Sequence, residues 1–159
     1  MKNKKLWIAI AFVVVCASAF TGIFLASRKE KATEVKDFAT LEEAVGYAGF
    51  PLEHSDRLAG EQVSGYQADE KTITVLYTPE GSISKTLLDE GEVPETAESD
   101  SAELQETEVL IRGVPVTFYG SEGTYSSARW IDNGFSYVIT LSYASVTADE
   151  MTIYVESTR

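Results

Sequence analysis

Residues 124–143, TYSSARWIDNGFSYVITLSY, restrict the fold more than any other stretch of the chain. Asn133-Gly134 sits near the centre, and both residues tolerate the positive φ that a two-residue hairpin turn demands. Beyond the turn, Phe135, Tyr137, Ile139, Leu141 and Tyr143 alternate with Ser136, Val138, Thr140 and Ser142. A period of two marks a half-buried strand. Two strands are expected, Thr124 to Ile131 and Phe135 to Tyr143, with Trp130 opposite Tyr137 and Ala128 opposite Ile139. One face of such a sheet is core and the other is wetter, as in antiparallel sheets.

Other segments extend this sheet. Ile73, Val75 and Tyr77 alternate with threonines in Lys71 to Thr78, and Gln62 to Tyr66 reads as the strand before it, across a turn at Ala68-Asp69-Glu70. Pro79-Glu80-Gly81 is a turn leading to a strand over Ser82 to Leu88. Val109 to Arg112 and Pro115 to Tyr119 flank a tight turn at Gly113-Val114, and Gly120-Ser121-Glu122-Gly123 is the next turn. Two helices frame the set. Thr40 and Glu43 have capping-box spacing. Leu41, Ala44, Val45 and Ala48 share one face, and Gly49 with Pro51 ends the helix, giving residues 41–48. Thr147 and Glu150 repeat the capping box, with Met151, Tyr154 and Val155 at helical intervals; the β-branched run MTIYV leaves a strand open there. The fold class is α+β: an antiparallel sheet of about six or seven strands, with short helices at both ends of the domain packed on its apolar face.

Leu6 to Ala26 carries no charge over 21 residues. As a helix it reaches roughly 31 Å, the thickness of a bilayer's hydrocarbon core. The expected organisation is a stub at 1–5, a transmembrane helix at 6–26, a charged tether at 27–37 and an outer domain at 38–159. A cleaved signal peptide is an alternative, because Ala17-Ser18-Ala19 has the form of a cleavage site. The apolar run continues past it through Phe20, Ile23, Phe24 and Leu25. A lipoprotein is a weaker one, since Val15 rather than a small residue precedes Cys16. Lys2, Lys4 and Lys5 favour a cytoplasmic N-terminus, against Arg28, Lys29 and Lys31 diluted by Glu30 and Glu34. Trp7 suits the interface, and Ser18, Gly22 and Ala26 form a small-residue stripe that can pack against another helix.

The formal charge is −12. Three of the positive charges precede the apolar run, so the chain after it carries about −15, which repels phosphate backbones and excludes nucleic acid as a partner. Residues 89–108 contain nine acidic residues and neither lysine nor arginine, and read as a disordered acidic loop. Calcium is an alternative use for those carboxylates, but the D-x-D-x-D-G pattern is missing. Cys16, inside the apolar run, is the one cysteine. The outer domain therefore has no disulfide, which fits a bacterial cell surface.

Little in the sequence carries chemistry. His54 is the sole histidine, in Glu53-His54-Ser55-Asp56, and reads as an exposed loop residue. Ser, His and Asp adjacent in sequence do not form a triad, whose members converge from separate segments. Glu53 and Asp56 form a possible carboxylate pair for glycosidic chemistry, without supporting cleft residues. The tyrosines and Trp130 line either a core or a ligand groove. Neither a phosphate-binding glycine loop nor a zinc set is present. No catalytic, metal-binding or cofactor-binding residue is assigned, and no cofactor is expected.

The run ETEVLIRGVPVTFYGSEGTYSSARWIDNGFSYVITLS, followed by VTADEMTIYVES, resembles an uncharacterised extracytoplasmic domain of Gram-positive bacterial membrane proteins. Gly113, Tyr119, Trp130, Gly134, Tyr137 and the Thr147–Glu150 start carry the resemblance, and EAVGYAGFPL is similar to the helix that opens such domains. It covers about 120 residues. It implies an α+β domain following a single transmembrane helix, in some members beneath a cytoplasmic anti-sigma-factor segment. Here five residues precede the apolar run, so no sigma-binding segment is expected. The resemblance offers no catalytic residues. The expected function is a membrane-anchored extracytoplasmic binding or regulatory module, not an enzyme, that meets an envelope protein or component through the open sheet face or the acidic loop. The alternatives are a carrier of lipid or another envelope component, held between sheet and helices, and a cell-wall-associated accessory enzyme.

Overall fold

The computed structural model describes residues 34–91, 104–142 and 144–159. The expected transmembrane helix, the stub and most of the tether lie outside them. Among the described residues no helix is long and apolar enough to cross a membrane.

The alternating segments become one antiparallel sheet. Its strands are β1 (Lys36–Phe38), β2 (Arg57–Leu58), β3 (Glu61–Ala68), β4 (Thr72–Thr78), β5 (Ser82–Leu87), β6 (Gln105–Ile111), β7 (Val114–Ser121), β8 (Thr124–Asp132), β9 (Phe135–Thr140) and β10 (Val146–Thr147). The helices are α1 (Leu41–Ala48) and α2 (Ala148–Ser157). The spatial order is β1-β3-β4-β5-β9-β8-β7-β6, with β2 beside β3 and β10 beside β8. The ten strands exceed the six or seven expected; the additional ones, β1, β2 and β10, are two or three residues long and too short to show a period.

Two meanders make up the sheet, β3-β4-β5 and β6-β7-β8-β9, joined where β5 pairs with β9. The chain leaves β5 in mid-sheet and re-enters at the far edge, four strand spacings or roughly 19 Å away. That distance is the physical reason for a long connection after Leu87. The acidic loop expected over 89–108 ends sooner than its composition implies, because Gln105–Ile111 is strand β6. Glu106 and Glu108 pair with Tyr119 and Thr117 and remain exposed, while Thr107 and Val109 are half-buried. Alternating carboxylates on the wet face of an edge strand cost little. The tether is likewise shorter than expected, since Lys36 and Asp37 already pair with Ala68 and Gln67.

The pairing register aligns the apolar residues in rows. Val75, Ile83, Ile139, Ala128 and Phe118 follow one another across five strands, and each is fully buried. Trp130 lies opposite Tyr137, and Ala128 opposite Ile139, as the hairpin predicts. Asn133 and Gly134 have φ of 50° and 80°. The same pair of positive angles recurs at Ala59-Gly60, Arg112-Gly113 and Glu122-Gly123, so four hairpins share one turn geometry.

Both helices pack on the apolar face. The reciprocal capping box forms at Thr40 and Glu43, and Gly49 closes α1 in the left-handed conformation. In α2, Glu150 N donates to Thr147 Oγ1 at 3.3 Å and Thr147 N donates to Glu150 Oε2 at 3.0 Å. Met151 and Val155, one turn apart, join the core. The cap and that spacing outweigh the β-branching of MTIYV, and the segment is helical. The opposite face is lined by Thr72, Thr74, Ser84, Thr86, Thr117, Ser127, Ser136 and Thr140, all half-exposed.

Gly120 marks a close approach that composition does not reveal. The β7–β8 ladder shifts between Tyr119 and Gly120, and a Cβ there would stand 1.9 Å from the Thr124 carbonyl oxygen. Gly120→Ala is expected to destabilise the domain by about 1–3 kcal/mol or more, as overpacking against rigid backbone. Phe118→Ala should cost about 3–5 kcal/mol through the cavity it leaves. Denaturant midpoints check both; a Gly120→Ala midpoint at the wild-type value would contradict the close approach.

Candidate functional site

Strand β5 carries Ile83 and Lys85 on the apolar face. Lys85 lies opposite Ile73 on one side and Tyr137 on the other, and is only 5% exposed. A buried ammonium needs acceptors and polarisable neighbours. Its Nζ donates to the Pro51 carbonyl at 2.7 Å and lies 4.4 Å from the Phe135 ring centroid, 5.4 Å from Tyr137 and 5.8 Å from Phe50. Burial pushes its pKa below the ordinary lysine value, while Glu53 and Asp132 pull it back up. Trp130 stacks flat on Tyr137, with centroids 4.9 Å apart. Burial raises the Tyr137 phenol, and Asp132 adds to the rise.

The residues after α1 cross the sheet over this lysine. Phe50 and Leu52 are buried between them and the strands. The crossing is pinned at its far side, where Glu53 N donates to the Arg159 carbonyl at 2.7 Å and Arg159 N donates back at 3.0 Å.

Next to it a cleft of about 370 Å³ opens between β6–β8 and the last turn of α2. Ile111, Val114, Val116, Trp130 and Val155 supply its apolar lining. Arg112, Asp132, Asn133, Glu156, Thr158 and Arg159 supply its polar groups. The local folding rule is simple. Arg112 and Asn133 occupy hairpin turns at one end of the sheet, and Glu156 to Arg159 follow from the end of α2, so turn and helix residues meet there. Arg112 Nε lies 3.4 Å from Glu156 Oε1. Asn133 Nδ2 donates to Asp132 Oδ2 at 3.1 Å.

Residues singled out from the sequence are not gathered here. His54 is half-buried rather than exposed. Its Nδ1 is 2.9 Å from the Ser55 carbonyl and 3.1 Å from Tyr77 Oη, and its ring packs near those of Tyr66 and Tyr77. The Tyr77 hydroxyl donates to the Ser55 carbonyl, and burial first, then the nearby Tyr66 and Asp56, raises its pKa. Ser55 Oγ donates to the Arg57 carbonyl at 2.6 Å, away from His54. Glu53 and Asp56 are exposed on the loop. Among the described residues no group of three His, Cys, Asp or Glu side chains is placed to hold a metal ion. Trp130 answers the choice between core and groove in both ways: it is 7% exposed, belongs to the core cluster, and lines the cleft. Sequence reasoning missed Lys85, Arg112 and Arg159. The available signal for Lys85 was its position two residues after Ile83 in an alternating strand.

Comparison with family models, curated proteins and solved structures gave no match.

Lys85 makes the pH dependence testable. Its folded pKa lies below its unfolded one, so in the interval between them the unfolded chain binds more protons and stability rises with pH. The two buried tyrosines act in the opposite sense. Their folded pKa values exceed the ordinary 10.0, so their contribution is lost as pH rises past 10.0. Urea midpoints measured from neutral pH toward 10.0 should climb less in Lys85→Met than in the wild type. Equal slopes would show that Lys85 titrates normally.

Proposed function

We propose that this chain is a membrane-anchored binding or regulatory module. In this reading Leu6–Ala26 stays in the bilayer as an uncleaved anchor, and the acidic α+β domain stands outside the cytoplasm, at the surface of a Gram-positive cell. The domain takes an envelope component or partner in the cleft between α2 and the sheet. The observation that carries the reading is that cleft: a half-open recess in which Trp130 and four aliphatic side chains lie beside Arg112, Asp132, Asn133, Glu156 and Arg159. A few polar groups set around an apolar wall are the usual form of a small-molecule site. A lipid carrier calls for an apolar enclosure, and the charged residues of this cleft argue against an acyl chain. An enzyme acting on wall polymers calls for two carboxylates working across a gap. Asp132 and Glu156 both line the cleft, but Glu156 is engaged by Arg112.

The test is made in intact cells. A photo-crosslinking residue replaces Asn133 in one strain and Ser84, on the opposite face, in another. Adducts are expected from position 133 and not from position 84, identified by mass spectrometry of the purified chain. Adducts consisting only of lipid would favour the carrier. The full-length chain should stay in the membrane fraction; mature protein in the medium with its N-terminus near residue 20 would overturn the anchor.

A further inference from the structure

We infer that the cleft binds a small dipolar molecule, one that carries a free ammonium and a free carboxylate around a compact apolar centre, such as an amino acid or a short peptide. The inference rests on the binding-module reading and adds the class of ligand. Four charged residues line the cleft, two of each sign. Arg112 and Glu156 satisfy each other: besides the 3.4 Å ion pair, Arg112 Nη1 donates to the Glu156 carbonyl at 3.4 Å. That leaves Arg159 and Asp132, the latter with the buried Lys85 ammonium within electrostatic reach. Among the described residues, neither has an opposite charge within 4.0 Å. The Asp132 carboxylate takes a hydrogen bond from Asn133, and the Arg159 backbone is fixed by its two hydrogen bonds to Glu53.

The cleft thus offers one anionic point and one cationic point beside a wall of Val114, Val116, Trp130 and Val155. A simple anion would meet Asp132 without compensation, and a simple cation would meet Arg159. A neutral apolar ligand would strip water from both and return nothing. A molecule with both charges satisfies both groups with charge-assisted hydrogen bonds. The volume of about 370 Å³ lies near the small end of ligand sites, which favours a compact molecule over an acyl chain or a glycan strand. The surrounding domain is strongly acidic, so a carboxylate is drawn in only where arginines stand, and two of the domain's few basic side chains are here.

The experiment is calorimetric titration of the full chain in detergent micelles with four probes. These are the dipeptide Ala-Ala, its N-acetyl derivative, its C-terminal amide, and N-acetylglucosamine as a neutral control. Ala-Ala should bind, and each blocked form should bind about tenfold more weakly or worse, the loss expected for one charge-assisted contact. Asp132→Asn should lower affinity for Ala-Ala yet leave that for N-acetyl-Ala-Ala unchanged. Arg159→Gln should do the same with respect to the amide, and Arg159→Lys should retain binding. Unchanged urea midpoints establish that the variants fold. Equal affinity for free and blocked dipeptides overturns the inference, as does indifference to both substitutions. Binding of N-acetylglucosamine alone overturns the dipolar class while leaving the binding module standing. No heat with any probe overturns the inference as well, and adducts at position 133 in cells then decide the module separately.

Discussion

The sheet obeys one constraint above all: side chains change face at every residue, so a pairing error of one position turns a strand's apolar set into water. The β8–β9 hairpin settles the matter for the whole domain. Once Asn133 and Gly134 accept positive φ, Trp130 must face Tyr137 and Ala128 must face Ile139. Ile83 then aligns with Ile139, Val75 with Ile83, and Phe118 with Ala128. Both helices find one continuous apolar surface because these alignments agree. The buried row would be discontinuous if any one of them slipped.

The same rule explains what could be read directly from the residues. Strict alternation made β4 and β9 plain, and capping boxes announced both helices. The other hairpin turns were harder, because Arg112, Glu122 and Ala59 hold the left-handed conformation that asparagine advertises and they do not. Turn positions near Gly113 and Gly120 were accordingly placed one or two residues from where they fall, and the β2–β3 hairpin had no visible signal. Strand β6 was hidden by composition: carboxylates at alternate positions look like disorder until a partner strand supplies a dry side. The cleft was not legible at all. Its residues come from three stretches, 111–116, 130–133 and 155–159, that only the sheet order and α2 bring together.

Lys85 is the point at which local rules and tertiary structure disagree. An alternating strand places it inward, where an ammonium is costly, and the fold answers with a carbonyl and three aromatic rings. Two of those rings belong to the very hairpin that sets the register, and the carbonyl belongs to the segment that crosses above it. The charge therefore fastens a covering loop to the middle of the sheet. Tyr137, one of its neighbours, is also the ring on which Trp130 lies, so the aromatic layer is shared between the lysine and the cleft.

The short backbone bridge between Glu53 and Arg159 has a mechanical meaning. It couples the strap that runs over Lys85 to Arg159, one of the residues that line the cleft. The other anchor of that strap is Pro51, whose carbonyl accepts from the Lys85 ammonium beneath it. The segment after α2 and the middle of the sheet are thereby tied through one three-residue stretch, 51–53, held by three hydrogen bonds.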